Sequence, residues 1–278
     1  MCLTKYVARF KRRIFRNRHS LSGNKIVSRQ VHLEWWNEKD NIGDYLAVIV
    51  FNWMLNKKGI SPDKTTHKII HLMTIGSLIG LSDFDAVLWG AGIHCITSVN
   101  GIRARKKYVR YDVRALRGPI TRHILENSGY ICNCVMGDPA VLMPLIYYPH
   151  IGMKKYKYSV ICHVDRQTVV NDDLHYISVK THDYKNFINE ILASECIISS
   201  SLHGIILAES YGVPAIFWND HMENELLKYY DWYFSTGRMN VKIATSIKDA
   251  VGMTPMAILD LDQMRQGLLD SFPYDLWM

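Results

Sequence analysis

The segment 199–218, SSSLHGIILAESYGVPAIFW, constrains the fold of this chain more than any other stretch. It follows the apolar run 196–198, which is typical of the end of a buried parallel strand. Three serines then predict a turn, the apolar residues 205–208 predict a helix, and Gly212 stands where a helix-ending glycine belongs. A second apolar run follows. The order strand, helix, strand predicts a parallel α/β layer.

The first turn of that helix is a candidate ligand site. Ligands of open α/β sheets bind outside the carboxyl ends of the strands. A helix N-terminus there offers unpaired N–H groups and a partial positive charge, which suit phosphate or carboxylate. His203 adds a side chain that titrates near neutral pH. The alternative is that residues 199–201 only cap the helix and that His203 is solvated.

Four segments, taken in order, resemble the polysaccharide pyruvyl transferase family. They are NIGDYL from Asn41, RGPITRHIL from Arg117, GDPAVLMP from Gly137, and SSSLHGIILAESYGVP. The resemblance implies an α/β fold of two Rossmann-like lobes with parallel sheets, in a GT-B-like arrangement. It also implies transfer of the enolpyruvyl group of phosphoenolpyruvate onto two hydroxyls of a sugar, which forms a pyruvate ketal. Many members carry Arg where this chain has Ser201, so one positive charge is missing there.

The resemblance and the chemistry of the donor together give a set of expected site residues. We expect His203 to contact the donor and to act as general acid, with His163 as the second candidate. Residues expected to bind phosphoenolpyruvate are Asn41, Gly43, Asp44, Arg117, Ser200, Ser201, Leu202, His203 and Gly204. Acceptor contacts or less defined roles are expected for His94, Arg114, Asp165 and Arg238, the last as a substitute for the charge that Ser201 lacks.

Local patterns support parts of this set and leave structural alternatives open. Gly43 would let the backbone approach a ligand, and Arg117 lies just before a predicted helix, where its guanidinium could bind a carboxylate or phosphate in bidentate fashion. The alternatives are that Asn41 is a turn residue, that Asp44 caps a helix, and that Arg117 is a surface residue paired with an acid.

The chain has 278 residues and is 48% hydrophobic, which is enough to bury the cores of two lobes. We predict five parts. These are a basic amphipathic segment at 1–24, an N-terminal α/β lobe at 25–146, a linker at 147–157, a C-terminal α/β lobe at 158–254, and a helix at 255–278 that packs across the lobes.

Positive charge is concentrated at the N-terminus. Nine basic residues and no acidic residue precede Glu34. Because the net charge of the whole chain is +7, the part from Glu34 onwards has a net charge of about −2. A nucleic-acid-binding fold would carry its basic charge on the folded face, so we expect no nucleic acid partner. Apolar residues recur at helical spacing through residues 3–14 and predict a helix. It could contact anionic lipid through residues 3–18, pack on the body, or belong to a disordered tail.

The composition also bounds compartment, cofactors and partners. No run approaches the roughly 20 apolar residues that a membrane-spanning helix requires, and the N-terminus lacks the apolar region of a secretory signal. We therefore expect a cytoplasmic protein, peripheral at the cytoplasmic face of the membrane if residues 3–18 bind lipid. The six cysteines are scattered, so we expect free thiols, no metal and no cofactor. The expected partners are phosphoenolpyruvate and a sugar acceptor, either a polysaccharide repeat unit or a lipid-linked oligosaccharide.

Two other functions remain open from the sequence. One is a GT-B glycosyltransferase that uses a nucleotide-sugar, for which Glu209 is the candidate to bind the ribose. The other is a non-catalytic carbohydrate-binding protein on the same scaffold, which the Ser201 departure favours.

Overall fold

The computed structural model describes residues 16–150, 152–166, 174–220, 225–257 and 259–278. The first lobe is one parallel sheet in the order β1-β2-β3-β4-β5. Its elements are β1 (Val31–Glu34), α1 (Ile42–Asn56), β2 (Ile70–Met73), β3 (Ala86–Trp89), α2 (Ser98–Arg105), β4 (Tyr111–Leu116), α3 (Pro119–Asn127) and β5 (Val135–Met136). A short 3₁₀ helix (Pro139–Leu142) and α4 (Met143–Ile146) follow.

The second lobe is also a parallel sheet, in the order β10-β9-β8-β6-β7. Its elements are β6 (Tyr156–Ile161), β7 (His175–Tyr176), α5 (Tyr184–Leu192), β8 (Ser194–Ser199), α6 (Leu202–Ser210), β9 (Ala215–Trp218), α7 (Leu226–Ser235), β10 (Ile243–Ala244) and α8 (Ile247–Gly252). Because β7 and β8 flank β6 on opposite sides, the strand order reverses between β6 and β8. Such a reversal opens a ligand crevice at the carboxyl ends of those strands.

The predicted α/β class with two parallel-sheet lobes is confirmed, and the local signals explain why the key helices form. In α1, Leu46, Val50 and Met54 recur four residues apart, and all three are buried. In α6 nearly every residue is buried, so the helix lies inside the lobe. Gly212 ends it with φ of +75°, a left-handed conformation that favours glycine.

The two lobes share a hydrophobic core. A single buried cluster contains Leu46 and Val50 of α1 together with Ile205 and Leu207 of α6. The backbone N–H of Ile42 donates to the carbonyl of Val179 in the other lobe at 2.8 Å. These contacts hold the start of α1 against the second lobe.

The C-terminal helix α9 (Asp262–Ser271) contacts both lobes. Arg265 donates to the carbonyl of Val141 in the first lobe at 2.9 Å and to that of Ser210 in the second at 2.8 Å. The sequence placed this helix from about Met256. It starts later because the Asp260 side chain accepts from the N–H of Asp262 at 2.8 Å, a local turn that initiates the helix there.

Strand β5 spans only Val135–Met136. The backbone before it turns back at Cys132, whose carbonyl accepts from the N–H of Cys134. The helix predicted through residues 3–14 lies outside the described residues. Among the helices of the described chain, none is both long and apolar enough to span a bilayer.

Candidate active site

A cleft of about 360 Å³ lies between the lobes, where the carboxyl ends of β6 and β8 face the loops of the first lobe. Its ionisable lining residues are Glu38, Lys39, Asp44, His94, His163, Asp165, His203, Glu225 and Lys228. Asn41, Ser201 and Leu202 also line it. The cleft therefore brings together most of the site residues predicted from the sequence.

His203 lies in the first turn of α6 and closes one side of the cleft. Its ring packs over Gly43 of α1, where an added Cβ would lie 2.4 Å from His203 Nδ1. Gly43 was expected to allow a ligand close to the backbone. The structure corrects this: the missing side chain makes room for His203 instead.

The N-terminus of α6 is open. Ser201 is the N-cap residue, but its side chain makes no capping bond, and the first turn contains no acid. Among the described residues, none accepts a hydrogen bond from the N–H groups of residues 202–204. Helix N–H groups of this kind favour an anion, and the turn that carries them borders the cleft through Leu202 and His203.

Two of the predicted donor residues lie behind this corner and do not line the cleft. Ser200 is fully buried; its hydroxyl accepts from the N–H of His163 at 3.0 Å, and its carbonyl accepts from Tyr229 at 2.6 Å. Gly204 is packed so tightly that an added Cβ would lie 2.5 Å from Ser199 Oγ. Both residues therefore shape the turn that presents Ser201 and His203.

Lys228, near the start of α7, supplies a cation that the sequence analysis missed. Its side chain is 7% exposed, lines the cleft and pairs with Glu225. Burial lowers the pKa of the Lys228 ammonium, which makes an anionic partner valuable to it. The sequence offered one sign of this buried cation, a single lysine within the largely aromatic helix sequence LLKYYDWYFS.

His163, in the loop after β6, is suited to accept a proton. Burial and the neighbouring Lys228 ammonium, 3.3 Å from Nε2, lower its pKa to about 4. The ring is therefore neutral near pH 7. His163 was expected to be the second candidate for the general acid. A neutral ring is not the acidic form of histidine, so the structure does not favour that role in the unliganded protein.

Glu225 links His94 to the lysine. Its carboxylate Oε2 lies 3.6 Å from His94 Nε2, and the interaction raises the pKa of His94. In turn His94 and Lys228 hold the pKa of Glu225 well below its usual range. Glu225 is therefore an anion at the cleft wall, held by the Lys228 ammonium and the His94 ring.

The start of α1 presents a carboxylate on the opposite wall. Asn41 caps this helix by accepting from the N–H of Gly43 at 3.2 Å, and its amide donates to Asp44 at 2.6 Å. Burial raises the pKa of Asp44, while the nearby His203 opposes that shift. Asn41 and Asp44 therefore line the cleft as a self-capped, acidic helix start.

Arg117 does not reach the cleft, contrary to the sequence-based expectation. Its side chain is fully buried and donates to Asp231 at 3.2 Å, to Ser77 at 2.8 Å and to the carbonyl of Ile93 at 2.7 Å. Gly92 leaves space for the guanidinium, since an added Cβ would lie 2.2 Å from Arg117 Cζ. Arg117 instead supports Ser77, which does line the cleft.

The other two arginines are also engaged elsewhere. Arg114 pairs with Asp112 and Asp275 at the outer edge of the first lobe. Arg238 binds Glu209 through two hydrogen bonds of 2.6 and 2.8 Å, so it does not replace the charge missing at Ser201.

Asp165 crosses the mouth of the cleft to pair with Lys39 of the first lobe at 2.5 Å. Both side chains are more than half exposed, and the Lys39 hydrogen bond lowers the pKa of Asp165. Within the described ranges, no group of three or more His, Cys, Asp or Glu residues is arranged to hold a metal ion.

Comparison with known proteins places this cleft in a family context. A functionally uncharacterised protein of Klebsiella pneumoniae has a crystal structure that matches with a TM-score of 0.54 and 15% identity, covering 88% of this chain and 100% of that one, a likeness of fold. An uncharacterised protein of Acanthamoeba polyphaga mimivirus is 24% identical over 254 residues, which is 84% of this chain and 86% of the relative. The family model of polysaccharide pyruvyl transferase matches residues 41–219, from the cap of α1 to just beyond β9. The chain therefore belongs to the polysaccharide pyruvyl transferase family.

Proposed function

We propose that this protein transfers the pyruvyl group of phosphoenolpyruvate onto two hydroxyls of a sugar, with release of phosphate. One observation supports this best: in a member of this family, an uncapped helix N-terminus, His203 and the buried Lys228 border the same cleft. Those groups suit a small donor with two anionic ends.

In this proposal the donor binds on the second-lobe side of the cleft. One anionic group of phosphoenolpyruvate accepts from the N–H groups at residues 202–204, and Lys228 neutralises the other. A bound anion near Lys228 compensates the burial that lowers the pKa of its ammonium. Lys228 thereby supplies the positive charge that many family members carry as an arginine at position 201.

The reaction then needs one acid and one base. His203 protonates the methylene carbon C3 of the donor, which makes C2 electrophilic, and a first sugar hydroxyl adds to C2 as its proton passes to a base. A second hydroxyl displaces phosphate from C2, and its proton leaves with the phosphate. The products are a pyruvate ketal and hydrogen phosphate, so protons and charge balance.

His163 is the proposed base for the first hydroxyl. Its pKa of about 4 keeps the ring unprotonated at neutral pH, as a base requires. His94, Asp165 and Asp44 border the remaining space and are proposed to contact the acceptor sugar, a polysaccharide repeat unit or lipid-linked oligosaccharide.

Membrane contact through residues 3–18 and a cytoplasmic site of action belong to the same proposal. They rest on the basic amphipathic pattern of the N-terminus. Deleting residues 1–15 should release the protein from vesicles that contain anionic lipid while the activity in solution is kept. Vesicle binding that survives the deletion would contradict this part.

A nucleotide-sugar transferase receives less support. Its proposed ribose ligand, Glu209, is 6% exposed, accepts from Trp232 at 3.0 Å and is held by Arg238. That carboxylate has no free edge for a ribose.

Incubation with a panel of sugar acceptors tests these functions. With phosphoenolpyruvate we expect phosphate release and a new ketal methyl signal by NMR. The His203→Ala variant should lose both with little change in Tm, while His123→Ala, an exposed histidine of α3, should keep them. Turnover of nucleotide-sugars alone, or binding of acceptor with no turnover of any donor, would contradict the proposal.

A further inference from the structure

We propose that Asp138 is a positioning residue that fixes the protonation of His203, so that Nδ1 is the nitrogen that delivers a proton. This inference rests on the proposed function, since the role of His203 as acid is itself proposed. Asp138 comes from the first lobe, directly after β5, whereas His203 comes from the second. The pair therefore spans the interface between the lobes.

The two oxygens of Asp138 have different environments. The side chain is fully buried, and Oδ1 accepts from the N–H of Ala140 at 3.0 Å, which caps the 3₁₀ helix Pro139–Leu142. Oδ2 lies 3.7 Å from His203 Nε2. Among the described residues neither of these two buried atoms has a hydrogen-bond partner.

Two unpartnered polar atoms that face each other point to a hydrogen bond between them. A buried polar group without a hydrogen-bond partner is unfavourable, so a small approach of the lobes that joins these two atoms is favourable. Catalytic hydrogen bonds are often long without ligand and shorten in the substrate complex. Oδ2 can only accept while ionised, so the proton of this bond belongs to His203 Nε2.

This bond determines which nitrogen is left to give up a proton. With Nε2 committed to Asp138, the imidazolium gives up the proton on Nδ1 to the donor's C3 and becomes a neutral ring that still carries hydrogen on Nε2. Asp138 stays ionised throughout. Asp44 of α1 also interacts electrostatically with this ring, and Lys228 of α7 and His94 line the same cleft.

The Asp138→Asn variant separates positioning from capping. Its amide oxygen can still accept from the N–H of Ala140, but its NH₂ group would then donate to His203 Nε2 and force the proton onto Nδ1 in the neutral ring. A histidine held in the wrong tautomer loses acid–base catalysis. We expect kcat to fall by about two to four orders of magnitude, with KM for phosphoenolpyruvate changed less than about threefold.

The pH–activity profile makes the test specific. The alkaline limb of the pH–activity profile should move to lower pH in Asp138→Asn, because the imidazolium has lost an adjacent negative charge. Asp183→Asn is the matched control: Asp183 caps α5 by accepting from the N–H of Asn186 at 3.0 Å and does not line the cleft. It should leave kcat, the pH profile and the ring spectrum of His203 unchanged.

Nitrogen-15 NMR of the unaltered protein tests the inference without any variant. When the ring of His203 is neutral, it should carry its proton on Nε2. A neutral ring protonated on Nδ1 would overturn the proposal, and so would an Asp138→Asn enzyme that keeps kcat within about threefold of the original.

Discussion

The two helix starts that face each other across the cleft are built in opposite ways. In α1 the N–H of Gly43 bonds to the Asn41 side chain, that of Ile42 bonds across to Val179, and Asp44 adds a carboxylate. In α6 the Ser201 side chain caps nothing, and within the described chain the next N–H groups have no acceptor.

This difference indicates how the lobes divide their work. A helix start that is already capped and acidic has little affinity for another anion, whereas an open start beside Lys228 and His203 has much. We infer that the second lobe binds the anionic donor, and that the first lobe offers hydrogen-bond acceptors to sugar hydroxyls and packs His203 in place.

The largest effect on donor binding is expected from Lys228→Met, which removes the buried cation beside the open helix start. A hydrogen bond to a charged group contributes about 1.5–3 kcal/mol, so KM for phosphoenolpyruvate should rise about 10- to 100-fold. Lys248→Met, at an exposed position of α8, is the control. Unchanged KM in initial-rate kinetics of Lys228→Met would place the donor elsewhere.

Gly43→Ala should break the packing between the two helix starts. The new Cβ would lie 2.4 Å from His203 Nδ1 and 3.0 Å from its Cβ, so the whole side chain must move. We expect about 2 kcal/mol lower stability in denaturant unfolding, as for overpacked cores, together with loss of activity. Gly252→Ala has open space at its Cβ and serves as control. Full activity in Gly43→Ala would show that the position of His203 is not critical.

His163 should make stability depend on pH. Its pKa is about 4 in the folded protein, below the ordinary value of about 6.5, so the unfolded chain binds more protons between those values. The contribution of neutral His163 to folding stability is therefore complete above about pH 6.5, and it is lost as the pH falls towards 4. The side chain is 16% exposed, so solvent screens part of the effect. Between pH 6.5 and 4 we expect the free energy of unfolding to fall by about 1–2 kcal/mol more in the unaltered protein than in His163→Gln. Parallel unfolding curves for the two proteins would contradict this.

Asp44→Asn tests the acidic helix start directly. The amide keeps the shape but removes the charge, so KM for phosphoenolpyruvate should stay the same or fall slightly, while KM for the acceptor should rise a few-fold. A large rise in KM for the donor alone would reverse the assignment of the two helix starts.

The smallest effect is expected from Lys39→Gln. Lys39 and Asp165 pair across the cleft mouth, but both side chains are more than half exposed. Exposed ion pairs contribute little and are screened by salt. We expect no resolvable change in Tm by calorimetry, and a clear drop would mean that this pair holds the lobes together.

Short-range signals in the sequence were enough to predict the lobes and the corner at His203. Capping residues, helix-ending glycines and apolar runs each depend on only a few neighbouring residues. They were sufficient to predict the turn at 199–201 and the end of the helix at Gly212. The same signals placed His203 at a helix start after a strand, and the resemblance to the family added Asn41, Asp44 and His163. Parallel strands bring their carboxyl ends to one edge of the sheet, and all four residues line the cleft.

Pairings over long sequence distances could not be predicted in the same way. Arg117 was expected in the site because its residue type suits anions, but Asp231, more than a hundred residues away, binds it inside the protein. Arg238 is likewise bound by Glu209. Lys228 was missed for the converse reason: on an aromatic helix it resembles a solvated lysine, and only the fold turns it into the cleft.

A crystal structure of the protein with phosphoenolpyruvate tests the central claim most directly. The account predicts one anionic group of the donor within about 3 Å of the N–H groups at residues 203 and 204, the other beside Lys228 Nζ, and the methylene carbon next to His203. A donor bound at the start of α1, or outside the cleft and away from Lys228, would contradict it.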